Sequence, residues 1–204
     1  YGMIQASTYD NEANLPDDYI SSLYESYPPQ LISAYLRGQF VNLTSGAVYP
    51  DFDRKLNHTD EEIQPHENLI IGMDFNVLKM AAVVYVIREG KPLALDEMVG
   101  VRDTPTMATL LIERFPFHEM TVIPDAAGQS TSSKNSSESD HQILRDKGFR
   151  VEVSGTNPAI KDRINAVNAL ILNGDGERTL LVNTNKCPRF TETLEQQVYD
   201  DFGM

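Results

Sequence analysis

Apolar residues fill the run Leu69-Ile70-Ile71-Gly72-Met73, which then ends in one carboxylate, Asp74. Met80-Ala81-Ala82-Val83-Val84-Tyr85-Val86-Ile87 is a second such run, followed by turn residues at Glu89-Gly90-Lys91-Pro92 and a third run, Leu93 to Val99. That pattern predicts an antiparallel three-strand meander. Thr104 before Pro105 marks a helix start, with Met107, Leu110, Leu111 and Phe115 on one face. Thr121-Val122-Ile123-Pro124 predicts another strand, and it too runs into a lone carboxylate, Asp125.

Beyond Asp125, Ala126 to Asp140 is rich in Ser and Gly and reads as a loop. A helix from about Ser139 to Lys147 and a strand from Phe149 to Val153 follow. The clearest helix opens at Asn157-Pro158 and closes at Asn173-Gly174, with Ile160, Ile164, Val167 and Ile171 as its buried stripe. On it Lys161, Asn165 and Asn168 share one flank, and Arg163 lies on the other. A turn at Gly174-Asp175-Gly176-Glu177, a strand at Thr179 to Asn183 and a helix from about Cys187 to Tyr199 complete the pattern.

The leading segment differs. Helices are predicted from Leu15-Pro16-Asp17-Asp18 and from Pro28-Pro29 to Gly38, and a small hairpin from Phe40 to Tyr49 around Ser45-Gly46. Residues 1–66 are expected to be an arm or connector, too short to bury much core. Residues 67–204 then form the main domain, near the usual domain size.

An apolar strand has no use for an unpaired carboxylate, which must neutralise or find a cation. Asp74 and Asp125 are therefore candidate metal ligands; the plainer alternative for each is a turn or cap. Three strands, a helix and a strand is the order in which a ribonuclease H fold begins, and there the first and fourth strands are neighbours. The expected class is α/β: a mixed sheet in which an antiparallel three-strand meander is extended by parallel strands, flanked by helices. Such a sheet would bring Asp74 and Asp125 together. Asp96 and Glu97 are expected to be solvent-facing edge charges, and His141 an ordinary surface histidine.

A single Cys among 204 residues excludes an internal disulfide framework, and no apolar run approaches the ~20 residues of a membrane span. The formal net charge is −13. Residues 1–140 hold 9 Lys and Arg against 21 Asp and Glu, whereas residues 141–204 hold 8 against 9. An acidic surface repels a polyanion, so any attraction for phosphate falls to local groups such as Lys134, Lys161, Arg163, Arg178, Lys186 and Arg189. No Gly-x-x-x-x-Gly-Lys-Ser/Thr pattern occurs, which predicts no ATP hydrolysis by these residues.

Several short motifs, taken in order, carry a family resemblance. They are Thr8-Tyr9-Asp10-Asn11 with Leu15-Pro16, Gly38-Gln39-Phe40-Val41, Gly46-Ala47-Val48-Tyr49-Pro50, Gly72-Met73-Asp74, Pro124-Asp125-Ala126-Ala127-Gly128, and Lys161-Asp162-Arg163-Ile164-Asn165-Ala166-Val167. Together they resemble the C-terminal nuclease domain of tailed-phage large terminase subunits, of the headful-packaging type. The resemblance implies a divalent-metal-dependent endonuclease that cuts concatemeric double-stranded DNA at packaging initiation and termination. It implies Mg2+ or Mn2+, two ions, with Asp74 and Asp125 as ligands and Lys161 stabilising phosphate charge or holding a carboxylate in place. The implied partners are double-stranded DNA, the portal protein, the small terminase subunit and an ATPase domain of the same polypeptide. The implied place is the host cytoplasm at the procapsid portal vertex, with no membrane. The family's third acidic residue falls in a later segment and is expected beyond Met204, with Asp200 and Asp201 the less favoured substitutes. The chain is accordingly expected to be a piece of a longer protein. An alternative function is an acidic module that docks on portal or capsid, with nuclease activity secondary. An actin-like nucleotide-binding half shares the strand order but needs Gly-rich phosphate loops, which Phe75-Asn76-Val77 does not supply.

Overall fold

The computed structural model describes residues 7–37, 46–75, 78–124, 134–153 and 158–199. The chain forms two compact units. One comprises Tyr1–Asn57, Pro158–Leu180 and Glu192–Met204; the other comprises His58–Asn157 and Leu181–Thr191. This cut differs from the expected division at 66/67, because 158–180 and 192–204 group with the leading residues.

The second unit holds a six-stranded sheet in the order β5-β4-β1-β2-β3-β6. Its strands are β1 (Leu69–Asp74), β2 (Met80–Arg88), β3 (Lys91–Val101), β4 (Met120–Pro124), β5 (Arg150–Val151) and β6 (Leu181–Val182). The predicted meander is present: β1 pairs antiparallel with β2, and β2 with β3. Glu89 and Gly90, at φ 52° and 76°, make the β2–β3 turn, where the strand twist favours two left-handed residues. Strands β4 and β6 run parallel to β1 and β3, and β5 parallel to β4. The mixed sheet expected from the pattern is thus the sheet observed.

Period-two alternation sends Leu69, Ile71 and Met73 of β1 and Met80, Ala82, Val84 and Val86 of β2 into one core. Helix α3 (Thr104–Arg114) covers them with Met107, Ala108 and Leu111, while Leu144 of helix α4 (Lys134–Asp146) joins the same cluster. Leu110, expected on the buried face of α3, is 39% exposed; Thr104 and Ala108 take part in the buried side instead. Asp103 caps the helix, its carboxylate accepting from the Thr106 backbone N–H at 2.9 Å. Helix α4 begins at Lys134, so residues 134–140 are helical where a loop was expected. Residues 125–133 lie outside the described ones.

Asp96 and Glu97 are not edge charges. A register shift between Val84 and Tyr85 breaks the alternation of β3, and the whole run Leu93 to Met98 is buried. Strand β6 also pairs with β3 through Leu93↔Leu181 and Ala94↔Val182. Glu97 accepts the backbone N–H groups of Arg189 and Phe190, each at 2.8 Å, at the start of helix α6 (Pro188–Gln196). Asp96 pairs with Arg114 at 2.8 Å.

The first unit contains a 3-10 turn (Thr8–Asn14) that the hydrophobic pattern did not announce. Helices α1 (Tyr19–Ser26) and α2 (Pro29–Arg37) stand at the predicted starts, and α5 spans Ile160–Ile171. Gly174 follows α5, and its N–H lies 2.8 Å from the Tyr24 carbonyl. A Cβ there would meet Ile32 Cγ1 at 2.8 Å and Tyr24 Cδ1 at 2.9 Å, so only glycine fits. Of the predicted α5 stripe, Ile171 is buried and Ile160 is 50% exposed; Asn168 is buried too, donating to the Val48 carbonyl at 2.9 Å. The predicted Phe40–Tyr49 hairpin lies partly outside the described residues, and Ala47 bridges antiparallel to Val198. No helix among the described residues is long and apolar enough to cross a membrane.

Candidate active site

Strands β1 and β4 are parallel neighbours, with a register that runs from Leu69↔Met120 to Gly72↔Ile123 and Met73↔Pro124. Their carboxyl ends therefore finish side by side. Asp74 is the last residue of β1, exposed and paired across to Ala81 of β2. Alternation puts Gly72, Asp74, Ala81, Tyr85 and Ile123 on the face opposite the hydrophobic core. The residues beside Asp74 on that face are small: Gly72, two positions earlier, lies against the Tyr85 ring, and Ala81 stands opposite. An oxygen donor is thereby held on an open surface at the end of a rigid strand, a fit for a hard divalent cation.

Asp125 lies outside the described residues, directly after Pro124. Lys161 is exposed on α5 and belongs to the other compact unit. Among the described residues, no group of three or more His, Cys, Asp or Glu side chains is placed to hold a metal. Asp74 is the member of the predicted constellation that the described residues include within the sheet unit.

Packing stiffens the end of β1. The Phe75 ring meets the His141 ring edge to face, centroids 5.8 Å apart. His141 is half-buried there, not an ordinary surface residue; burial, then the Arg145 charge, pulls its imidazole below the usual range, with Asp140 opposing. The neighbouring Asp140 accepts from the Thr104 hydroxyl at 2.8 Å, tying α4 to the start of α3.

Two cations assigned to phosphate by the sequence have internal partners. Arg178 donates to the Asp51 carbonyl at 2.7 Å and to the Asn57 side chain, and Lys186 pairs with Glu62 at 2.6 Å. The pattern missed Lys79 and Arg102, which follow Leu78 and Val101 at the Asp74 end of the sheet. Only the register brings them into view: Met80 pairs with Val101, so the residues flanking that pair sit together.

The family model described as the terminase RNaseH-like domain matches residues 71–203. The chain belongs to the terminase RNase H-like domain family. The resemblance read from the ordered motifs is borne out at that level. Among solved structures, the large terminase of a thermophilic bacteriophage in complex with ATP-gamma-S superposes with a TM-score of 0.72 at 18% identity. The match covers 95% of this chain and 47% of that one, so this domain spans about half the length of the terminase it resembles. The same phage protein in complex with ADP gives 0.72 at 17% identity, again over 95% and 47% of the two chains. The nuclease domain of the large terminase of bacteriophage SPP1 aligns at 17% identity over 72% of this chain and 83% of that one, with a TM-score of 0.44. A comparison with curated protein sequences gives no match.

Proposed function

We propose that this terminase domain is a divalent-metal-dependent DNA endonuclease, cutting concatemeric double-stranded DNA at the start and end of packaging. The observation that carries the proposal is the parallel pairing of β1 with β4 up to Met73↔Pro124, with Asp74 exposed at the end of β1. Asp125 follows Pro124 directly in the sequence and is the second carboxylate of this reading. Carboxylate oxygens of this kind suit Mg2+ or Mn2+. When bound, such ions would supply an activated water and stabilise the leaving oxygen.

Asp74, exposed at the end of β1, would be one ligand of such ions. Asp125 would be a second ligand, and Lys161 would act on phosphate charge. Ala81, opposite Asp74 on that face, presents only a methyl group, while the Tyr85 ring lies against Gly72. The partners that follow are double-stranded DNA, the portal protein, the small terminase subunit and an ATPase domain of the same polypeptide. The place is the host cytoplasm at the portal vertex.

Cleavage of supercoiled plasmid by the purified chain tests the reading. It is expected to require Mn2+ or Mg2+ and to fall at least ~100-fold in Asp74→Ala and Asp125→Ala, since each removes a ligand rather than a neighbour. Mn2+ binding measured by calorimetry should weaken in the same two variants. Cleavage that survives in Asp74→Ala defeats the proposal. A docking module for portal or capsid is the second reading, favoured by the stretch 7–37, which holds five acidic side chains against Arg37. Intact portal binding together with absent cleavage in the wild-type chain would select it.

A further inference from the structure

Leu78, in the connection from β1 to β2, sits at φ 67° with its side chain 65% exposed. A bulky residue in left-handed backbone is strained, and such strain concentrates where function requires it. Burial does not compensate here, because the isobutyl group stands in solvent. The conformation is held instead by the Leu78 N–H, which donates to the Arg102 carbonyl at 3.1 Å. Lys79 follows, exposed, and pairs with no carboxylate among the described residues. Arg102 is 75% exposed in its side chain, and its Nε lies 2.9 Å from one oxygen of Asp103, whose other oxygen caps α3. An exposed pair of that kind exchanges readily for phosphate.

Their placement relative to Asp74 follows from the strand register. Asp74 pairs with Ala81, and Met80 with Val101, so Lys79 and Arg102 stand beyond the ends of β2 and β3 on the same sheet edge as Asp74. They are offset from it sideways by one and two strand spacings, about 5 and 10 Å, and lie two residues before Ala81 and three beyond its β3 partner Val99, roughly a further 7 and 10 Å along the strands. Phosphates of one DNA strand recur every ~3.4 Å of axis, so that offset spans a few nucleotides.

We propose that Leu78, Lys79 and Arg102 form a grip on double-stranded DNA beside Asp74. Lys79 and Arg102 hold phosphates next to the one being cut, and Leu78 wedges into the minor groove. In a chain of net charge −13, exposed cations at this edge supply the local attraction that the whole surface lacks. A strained, solvated Leu that adjoins Lys79 and is bonded to the Arg102 backbone matches the apolar wedges that enter and bend a duplex. The grip rests on the nuclease reading for its ligand, and its test separates the two.

Binding of a short duplex is measured by fluorescence anisotropy in Ca2+ over a series of salt concentrations, alongside thermal melting of each variant. Lys79→Gln and Arg102→Gln are each expected to weaken binding several-fold on any sequence and to lower the salt slope by about one. Leu78→Gly should weaken binding while raising Tm, because glycine accepts the left-handed backbone without strain. If Lys79→Gln, Arg102→Gln and Leu78→Gly keep wild-type affinity and slope, or the wild-type chain binds no duplex, the grip is overturned. If these three lose affinity as expected while the wild-type chain cleaves with neither Mg2+ nor Mn2+, the grip stands and the nuclease reading falls.

Discussion

Glu97 offers a sharp test of how this fold is held, because the same residue on a solvated strand edge would contribute almost nothing. The residue is 9% exposed, and its carboxylate accepts two backbone N–H groups, from Arg189 and Phe190, at 2.8 Å each. Those N–H groups belong to the first turn of α6, where no intrahelical acceptor exists. Hydrogen bonds to a charged acceptor contribute about 1.5–3 kcal/mol each, and a buried donor left unsatisfied costs about 1–3 kcal/mol. Glu97→Gln keeps one good acceptor and turns an amide NH2 toward the second donor, a loss of about 2 kcal/mol. Glu97→Ala strands both donors, a loss of about 3–4 kcal/mol. For a protein of this size each kcal/mol lowers Tm by about 2–4 °C, so roughly 4–8 °C is expected for Gln and 6–16 °C for Ala. Thermal melting by circular dichroism at neutral pH measures both, with exposed Glu113→Ala as the control, expected within ~0.5 kcal/mol of wild type. If Glu97→Ala melts with that control, the capping account is wrong.

Other positions give further tests. Gly174→Ala places a methyl 3.0 Å from the Tyr24 carbonyl oxygen and closer still to Ile32, and should cost about 1–3 kcal/mol in urea unfolding; an unchanged midpoint would refute the close approach. Asp103 is lowered from 3.8 to about 2, first by the Thr106 hydroxyl, then by the Thr106 N–H and Arg102. Because the folded value is depressed, the stabilisation is complete above about 4 and disappears as pH falls toward about 2. Asp103→Asn should flatten the melting curve across that window, and an undiminished acid limb would contradict the capping role. Cys187 is buried and its thiol is pushed up to about 12, chiefly by burial and then by Glu97 and Asp96. It should resist a thiol-labelling reagent in the native chain at mildly alkaline pH and react only in denaturant; rapid native labelling would show that the site opens.

The meander, α3 and the return strand were legible because each is a local pattern. Met80 to Ile87 is an unbroken apolar run, Glu89-Gly90 punctuates it with a turn, and Thr104-Pro105 carries its own helix-start signal. The Asp96 and Glu97 error has a different origin. Both charges look exposed in an alternating strand, and what buries them is a bulge opposite Val84 and the arrival of β6 and α6 from ninety residues away. Arg178 and Lys186 were misjudged for the same reason, since their acceptors at Asp51, Asn57 and Glu62 are more than a hundred residues distant. Leu78 and Lys79 carried no sequence signal, because a left-handed Leu is visible only as a dihedral angle.

By itself, the order of apolar runs and punctuating residues determined that this chain builds a mixed sheet with a carboxylate at the end of its first strand. Periodicity and turn chemistry act over a few residues, so they can be read directly along a chain. Only the tertiary structure decided which strands are neighbours, which charges are buried, and which cations share an edge with Asp74. Those outcomes depend on burial and pairing between distant segments, where the free energy of removing a charge from water is set by partners no local pattern contains.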